Sequence, residues 1–147
     1  MWDDQVVSLH EDRPYWDLPI IGFEVLEVMF SGRLAVFAYG EGGSPGDPAP
    51  RTQIALGGPF IFVTPGGEQQ HLDGGGDWQN LTGLLCLRGS RVETAQAARD
   101  GGLIITFDNL AGLVAAPDAK YENWEISGPG RLNLVSPPGG GDPRIAV

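Results

Sequence analysis

The strongest constraint on the fold is an internal repeat, in which the same Gly and Pro landmarks recur twice in the same order. Residues 22–67 contain GRLAV, IALGGP and VTPGG, and residues 89–140 contain GGLII, WEISGP and SPPGG. A repeat of this length indicates two similar structural units packed against each other. We therefore predict a single domain over residues 1–147, with pseudo-repeats at approximately 20–67 and 88–140 and a helix-containing connector at 72–88.

Each unit carries patterns typical of short antiparallel strands joined by turns. GFEVLEVMF (22–30) and LAVFAY (34–39) flank a short Gly-containing connection, which predicts a β-hairpin. TQIAL and FIFV flank Gly57-Gly58-Pro59 and predict a second hairpin. The 23 glycines and 12 prolines suit many turns between short strands. The predicted fold is mostly β, with two pseudo-repeated antiparallel β units forming a sandwich or a partly open barrel and one short connecting helix.

Helix and strand signals compete in the middle of the chain. Asp77 is placed to cap a short helix whose apolar residues Leu81, Leu84 and Leu85 recur at i, i+3 and i+4. Residues 92–98 have local helix propensity, yet the repeat aligns them with the first strand of the first unit. Because context overrides propensity in short segments, we predict a strand there.

The charge balance limits the kinds of partner. The chain has 19 acidic and 9 basic residues, a formal net charge of −10. Such a field repels nucleic-acid phosphates and anionic membranes, so we predict neither nucleic-acid nor membrane binding. The same field favours a basic protein partner, although a solvated acidic surface is the simpler interpretation. The oligomeric state stays open.

The single cysteine and the N-terminal residues bear on the compartment. Cys86 lies in the apolar run LLCL, which predicts a buried thiol that behaves as a small hydrophobe in a reducing environment. The stretch MWDDQVVSLHEDR has acids where a signal peptide carries bases. We therefore predict a cytoplasmic protein.

No catalytic signature appears in the sequence. It contains no G-x-S-x-G, Walker A or G-x-G-x-x-G motif, and its two histidines lack the spacing of metal ligands. We predict a protein without enzymatic activity, cofactor or metal. One alternative is a small-molecule-binding protein or enzyme that uses a cleft between the two β units, with Glu122 and Glu125, or His71 and Asp73, as its polar groups. Another is a structural subunit that pairs with other chains through exposed strand edges.

The first functional hypothesis is a protein-binding module that presents acids and aromatic residues to a basic partner. The stretch MWDDQVVSLHEDRPYWDLP combines five carboxylates with one Arg, and Trp and Tyr are common hot-spot residues. An alternative role for Trp16 is to fill one end of the sandwich. The predicted partner-binding residues are Trp2, Asp3, Asp4, Glu11, Asp12, Tyr15, Trp16, Asp17, Tyr121 and Glu125.

The stretch YENWEISGP (121–129) combines core and surface features. On a strand, Trp124 points one way, while Tyr121, Asn123 and Glu125 point the other. The repeat aligns Trp124 with the apolar Ile54, which predicts a core position for the tryptophan. Only the outward residues of this stretch are therefore candidates for partner binding.

The sequence pattern of the C-terminal third is similar to that of other proteins. The run YENWEISGPG…PPGG, preceded by GGLIITFDN and VAAPDAKY, resembles a family of small acidic bacterial proteins of unknown function with a C-terminal YExWE-x-x-GP…PGG pattern. The match covers about the last fifty residues, and the chain continues through GDPRIAV where the family pattern often closes on an aromatic residue. The resemblance implies the β fold and no catalytic residue. Small acidic bacterial proteins of this style are often immunity proteins encoded beside toxins, which implies an inhibitor that masks a basic toxin.

Overall fold

The computed structural model describes residues 15–41, 43, 51–117, 122–128, 133–135 and 144–145. The elements within these ranges, in chain order, are β1 (Tyr15–Asp17), β2 (Glu24–Phe30), β3 (Leu34–Tyr39), β4 (Arg51–Leu56), β5 (Pro59–Val63), β6 (Gln69–Asp73), a 3₁₀-helix (Trp78–Leu87), β7 (Val92–Ala98), β8 (Leu103–Phe107), β9 (Gly112–Ala115), β10 (Trp124–Ser127), β11 (Asn133–Val135) and β12 (Arg144–Ile145). The strands form two antiparallel sheets with one short helix, a sandwich-like arrangement that confirms the predicted fold class.

In each repeat the first three strands form part of one sheet, and the fourth strand crosses to the other sheet. Sheet 1 has the order β1-β7-β8-β9-β5-β6, and sheet 2 has the order β12-β11-β10-β4-β3-β2. Strands β2, β3 and β4 are neighbours in sheet 2, but β5 crosses to sheet 1 and pairs with β9. Strands β7, β8 and β9 are neighbours in sheet 1, and β10 crosses to sheet 2 and pairs with β4. The strand order is therefore the same in both halves when β2–β5 are matched with β7–β10. The domain assignment and the exact repeat boundaries stay predictions.

The crossing of β5 and β10 corrects two details of the sequence interpretation. The hairpin predicted around Gly57-Gly58-Pro59 is wrong, because β4 and β5 lie in different sheets and these residues form the crossover between them. The segments IALGGP and WEISGP, aligned as equivalent copies, are instead neighbours in sheet 2. Their register places Trp124 opposite Leu56 and Ile126 opposite Ile54. β4 and β10 have similar sequence patterns because they are paired neighbours, and the alternate side chains of each face the same core.

Among the described residues, Trp124 is the largest of the most deeply buried side chains, as its predicted core position requires. It is 1% exposed and belongs to the cluster between the sheets. Its indole Nε1 donates a hydrogen bond of 2.8 Å to the carbonyl oxygen of Gly101, next to the β7–β8 turn. A side chain of sheet 2 is thereby bonded to the backbone beside sheet 1. The bond also satisfies the one polar atom of a buried tryptophan.

Hydrogen bonds of Asn123 link the β4–β5 crossover to the segment that connects β9 to β10. The side chain was predicted to face outward, but it is 4% exposed. Its Nδ2 donates to the carbonyl oxygen of Pro59 at 2.9 Å and to that of Ala116 at 2.6 Å. The backbone N–H of Gly57 donates to the carbonyl oxygen of Asn123 at 3.1 Å. The outward prediction is wrong because Asn123 precedes β10, so the alternation of that strand does not govern it.

The helix begins as predicted but has a tighter pitch. Asp77 is the N-cap, and its carboxylate accepts a hydrogen bond from the N–H of Gln79 at 3.0 Å. A 3₁₀-helix has three residues per turn, so its buried residues are spaced by three. They are Leu81, Leu84 and Leu87.

The pitch of the helix also corrects the prediction for Cys86. Leu85 and Cys86 lie between the buried positions of the helix and are exposed to solvent. The predicted buried thiol is therefore wrong, and Leu85 does not share the buried face of Leu81 and Leu84. A period of 3.6 residues, which the sequence pattern suggested, would have turned Leu85 toward the core.

The strand prediction for residues 92–98 is confirmed. β7 lies between β1 and β8, and Val92, Ala95 and Ala97 are buried in the core. Pairing on both sides supplies backbone hydrogen bonds for this segment. The ladder and the burial of alternate side chains outweigh the small helix preference of the alanines.

Tyr39 lies on the outer face of sheet 2, where it is nevertheless 1% exposed. Its hydroxyl donates a 2.5 Å hydrogen bond to Oε1 of Glu27. The guanidinium of Arg51 lies 5.3 Å from the centre of the neighbouring Phe37 ring, in cation–π geometry. Burial of the phenol, and next its hydrogen bond to Glu27, raise the pKa of Tyr39 above its ordinary value of 10.0.

Gly74 is predicted to tolerate no side chain. It follows β6 beside the β4–β5 crossover, its N–H donates to the carbonyl oxygen of Gly58 at 2.9 Å, and a Cβ atom there would collide with the carbonyl oxygen of Leu56. We expect Gly74→Ala to lower the free energy of unfolding by about 3 kcal/mol, because the backbone must move to make room. Gly57→Ala is the matched control, since a Cβ there meets no atom within 4 Å. Urea unfolding of both variants checks this, and equal stability would contradict it.

Tyr39→Phe is predicted to change how stability depends on alkaline pH. Because the folded state holds the phenol proton more tightly than the unfolded state, Tyr39 stabilises the fold below about pH 10 and loses that contribution as the pH rises through its raised pKa. We expect the variant to be about 1–2 kcal/mol less stable at pH 8, where the hydrogen bond to a carboxylate is lost. The gap should narrow by pH 11. Urea unfolding at both pH values measures it, and a constant gap would refute the assignment.

Candidate partner-binding edge at strand β6

The edges of the two sheets differ in how they are covered. At the edge of sheet 2, the segment after the helix covers the first part of β2: the N–H of Gly89 donates to the carbonyl oxygen of Val25 at 2.7 Å, and the N–H of Val25 donates to the carbonyl oxygen of Ser90 at 2.8 Å. The edge strands β1 and β12 have three and two residues. β6 has five residues and, in the part of the chain that the structure describes, pairs only with β5. It is the longest uncovered edge in that part.

The hydrogen bonds at both ends of the β5–β6 ladder show which backbone groups of β6 face outward. The N–H of Thr64 donates to the carbonyl oxygen of Glu68 at 2.8 Å, and the N–H of Gly74 donates to that of Gly58 at 2.9 Å. Hydrogen-bonded and non-hydrogen-bonded pairs alternate along an antiparallel ladder. The backbone N–H and C=O groups of the even-numbered residues of β6 therefore point toward β5. The backbone groups of Gln69, His71 and Asp73 therefore point to the open side. The carbonyl of Asp73 is used by the following turn, where it accepts from the N–H of Gly76 at 3.0 Å.

A groove of about 590 Å³ borders this edge. It is lined by Gln70, His71, Leu72, Asp73, Gly76, Asp77 and Asn80, which come from β6, the turn after it and the start of the 3₁₀-helix. The sequence places these elements together because DGGGD (73–77) allows a tight turn from the strand to the helix cap.

Two carboxylates are held in place at this groove by the backbone. Oδ1 of Asp73 accepts from the N–H of Gly75 at 2.9 Å, and Oδ1 of Asp77 accepts from the N–H of Gln79 at 3.0 Å. Each carboxylate uses one oxygen in its turn, and its second oxygen has further acceptor capacity. Both acids are exposed. Their orientation is thus set before any ligand arrives, which lowers the entropy cost of binding a cation.

The chain segment that builds the groove has one sign of charge. Between Arg51 and Arg88 the sequence contains no Lys or Arg, whereas it contains Glu68, Asp73 and Asp77. This interval supplies β5, β6 and the whole helix. Acids without interspersed bases produce a local negative potential that attracts basic groups.

A second, smaller depression adjoins the same strand. Its volume is about 260 Å³, and its lining is mainly apolar: Pro59, Phe60, Ile61, His71, Leu72, Val114 and Ala116. Ile61 stands opposite both His71 and Val114 in the ladders of sheet 1. His71 and Leu72 line both depressions, so β6 has an acid-lined and an apolar recess next to each other.

Of the two alternative pairs of polar groups named for a ligand-binding cleft, only His71 and Asp73 line a common depression, the groove at β6. Glu125 lies across sheet 2, opposite Ala55 and Val135, and Glu122 is exposed outside any strand. Among the described residues, no group of three His, Cys, Asp or Glu side chains could hold a metal ion.

The predicted partner-binding residues are spread over the structure. Tyr15, Trp16 and Asp17 form β1, at the opposite edge of sheet 1 from β6, and the half-buried Glu125 lies on sheet 2. Trp16 is 5% exposed and packs in the core beneath the guanidinium of Arg99, 5.3 Å from its ring centre. Trp16 is therefore a core residue and not an exposed contact for a partner. Six of the predicted residues lie outside the described ranges: Trp2, Asp3, Asp4, Glu11, Asp12 and Tyr121.

Sequence reasoning missed several residues of the groove and its rim. Gln70 and Asn80 line the groove, and Asp77 was predicted only as a helix cap. Trp78 follows Asp77 and is 58% exposed, which makes it a ready aromatic contact for a partner. The signal that could have pointed here is the long interval without a base, read together with the turn DGGGDW.

The comparisons with known proteins give a family and no activity. Among the described residues, no helix has the length and apolar character needed to cross a bilayer. Searches of curated proteins and of solved structures found no match to this chain. A family model matches residues 16–142, well beyond the last fifty residues that carried the resemblance. The chain belongs to the family of unknown function DUF6188.

Proposed function

We propose that the protein is a cytoplasmic, non-enzymatic protein-binding module whose partner is basic, and that the groove at β6 is its main contact surface. The observation that carries the proposal is the acidic groove beside an uncovered sheet edge. Asp73 and Asp77 offer charge, and the exposed Trp78 offers an aromatic anchor. Such a combination of charge and aromatic surface suits a protein partner.

The physical properties of the groove favour Lys or Arg side chains over other ligands. Nucleic-acid phosphates and anionic metabolites would be repelled by Glu68, Asp73 and Asp77. The groove borders the backbone edge of a strand, so a ligand would lie along that edge. Exposed charge pairs contribute little affinity individually, so we expect them to act mainly on the association rate and on the choice of partner.

The more specific form of the proposal is an immunity-type inhibitor that masks a basic toxin. Its support is the net charge of −10 together with an acidic surface built on rigid elements. An inhibitor of this kind needs no catalytic group, because it acts by covering a cationic surface of the toxin. It requires that a neighbouring gene encode a basic toxin, and co-expression with that toxin tests it: growth should be restored by the wild type and not by a variant that lacks the groove carboxylates.

Removing the two groove charges is predicted to weaken binding of a basic peptide. Asn can accept the N–H groups of Gly75 and Gln79 as Asp does, so D73N/D77N keeps the turn and the helix cap while removing two charges. We expect its affinity for a fluorescent ten-residue peptide of alternating Arg and Thr to fall about threefold to tenfold in 50 mM NaCl, and wild-type binding to weaken steeply by 300 mM. Fluorescence anisotropy measures both.

The matched control changes the same number of charges elsewhere in sheet 1. In E93Q/D100N, Asp100 has the same local role as Asp73, because its Oδ1 accepts from the N–H of Gly102 at 2.8 Å. Glu93 is exposed on β7, which is separated from β6 by three strands. This variant should bind the peptide within about twofold of wild type. Equal weakening by both double variants would show that net charge alone drives the binding, and the groove would lose its role.

A further inference from the structure

We propose that the partner is held as an extended strand added to the open edge of β6, which extends sheet 1 from six strands to seven. This inference rests on the proposed function, since it takes the partner to be basic, and it adds the mode of recognition. In strand addition, backbone hydrogen bonds supply affinity and recesses for alternate side chains supply specificity. Both components are present at β6: outward backbone groups at Gln69, His71 and Asp73, and two adjoining recesses.

Among the described residues, β6 has no protective device other than its acidic side chains to keep its edge unpaired. Natural edges carry Lys, Pro, a bulge or a covering segment. The residues QQHLD contain neither Lys nor Pro, and the β5–β6 ladder runs without a register shift. By contrast, β2 has a register shift between Val25 and Glu27, and residues 88–90 bond to its backbone. The edge of β6 is therefore the one on which an incoming strand finds regular, outward-facing donors and acceptors.

The charges at β6 argue for a basic segment and against a second copy of this chain. Pairing of two β6 edges would bring Glu68, Asp73 and Asp77 of both copies together, and the interval from 52 to 87 contains no Lys or Arg to offset them. Like charges placed across a strand pair are destabilising. Lys or Arg side chains on an incoming strand would instead attract these three carboxylates.

The two recesses define the sequence that such a strand should have. A basic side chain would lie in the groove that Asp73 and Asp77 line. A neighbouring side chain that points to the other face would lie over the apolar recess formed by Ile61, Val114 and Ala116. Since side chains alternate along a strand, an alternation of basic and apolar residues fits the edge.

A pair of modified peptides tests strand addition on the unaltered protein. The probe is a nine-residue peptide of alternating Arg and Val, N-methylated at either its odd or its even amides. An added strand donates to β6 from only one of these sets, so we expect one isomer to bind at least tenfold more weakly than the other. Equal binding of the two isomers would overturn strand addition. If D73N/D77N still weakened binding in that case, the proposed function would stand without it.

Amide hydrogen exchange locates the added strand on β6. In the free protein the amides of Gln69 and His71 should exchange fast, because they face the open side, and those of Gln70 and Leu72 slowly, because they face β5. The unmethylated peptide should slow Gln69 and His71 by tenfold or more. Protection that appears at other amides, with these two unchanged, would overturn the assignment.

A proline variant gives an independent check on the chain itself. H71P removes an outward N–H that β5 does not use, whereas H71T keeps the N–H and a side chain suited to strands. H71P should bind at least tenfold more weakly than wild type, and H71T within about twofold. Urea unfolding shows whether H71P keeps its structure, and if it does not, the methylated peptides decide. A wild-type dimer in sedimentation that H71P abolishes would make a second copy the occupant and overturn the basic partner.

Discussion

The ladder between β4 and β10 holds together parts of the chain that come from different repeats. Its register runs from Trp124 opposite Leu56 to Ser127 opposite Gln53, and the corresponding ladder in sheet 1 joins β5 to β9. Without these two ladders, β2–β4 and β7–β9 would each be a three-stranded unit with an open edge, and the apolar face of each would lack a partner. The two repeats therefore complete each other, and neither has a separate interior. Contacts of such large sequence separation form late and make folding slow.

The crossing of β5 and β10 between the sheets also determines which strands lie at the sheet edges. Matching β2–β5 with β7–β10 makes β6 the counterpart of β11. The outer side of β7 is covered by β1, that of β11 by β12, and that of β2 by residues 88–92. Of the four strands β2, β6, β7 and β11, only β6 has no such addition among the described residues. The departure from symmetry is therefore local, and it falls at the strand that carries the acid-lined groove.

The sequence predicted local features well and long-range ones less well. The β2–β3 hairpin, the cap at Asp77 and the core position of Trp124 depend on neighbouring residues or on simple alternation, and all three were predictable. The Gly57-Gly58-Pro59 connection was mistaken for a hairpin because the same turn residues serve a crossover between sheets. The exposure of Cys86 followed from a helix pitch of three residues, which apolar spacing of i, i+3 and i+4 does not reveal.

The candidate site was harder to predict because an edge is a property of strand order. The acids of β6 are visible in the sequence, but nothing near QQHLD shows that β6 ends its sheet. That becomes clear only when β5 is found beside β9 rather than beside β4. The residues 52–87 then acquire a meaning that composition alone did not give them: the interval without Lys or Arg is the interval that builds the open edge.

Acids at an open edge have a different consequence from the lysines that commonly protect one. Either sign prevents two identical edges from pairing, because like charges meet across the ladder. The sign determines which foreign strand is admitted: lysines repel basic segments, while Glu68, Asp73 and Asp77 attract them. A chain with net charge −10 that used lysine here would weaken its own field at the point of contact. The same carboxylates that keep β6 from pairing with its own copy therefore keep it available to a basic partner.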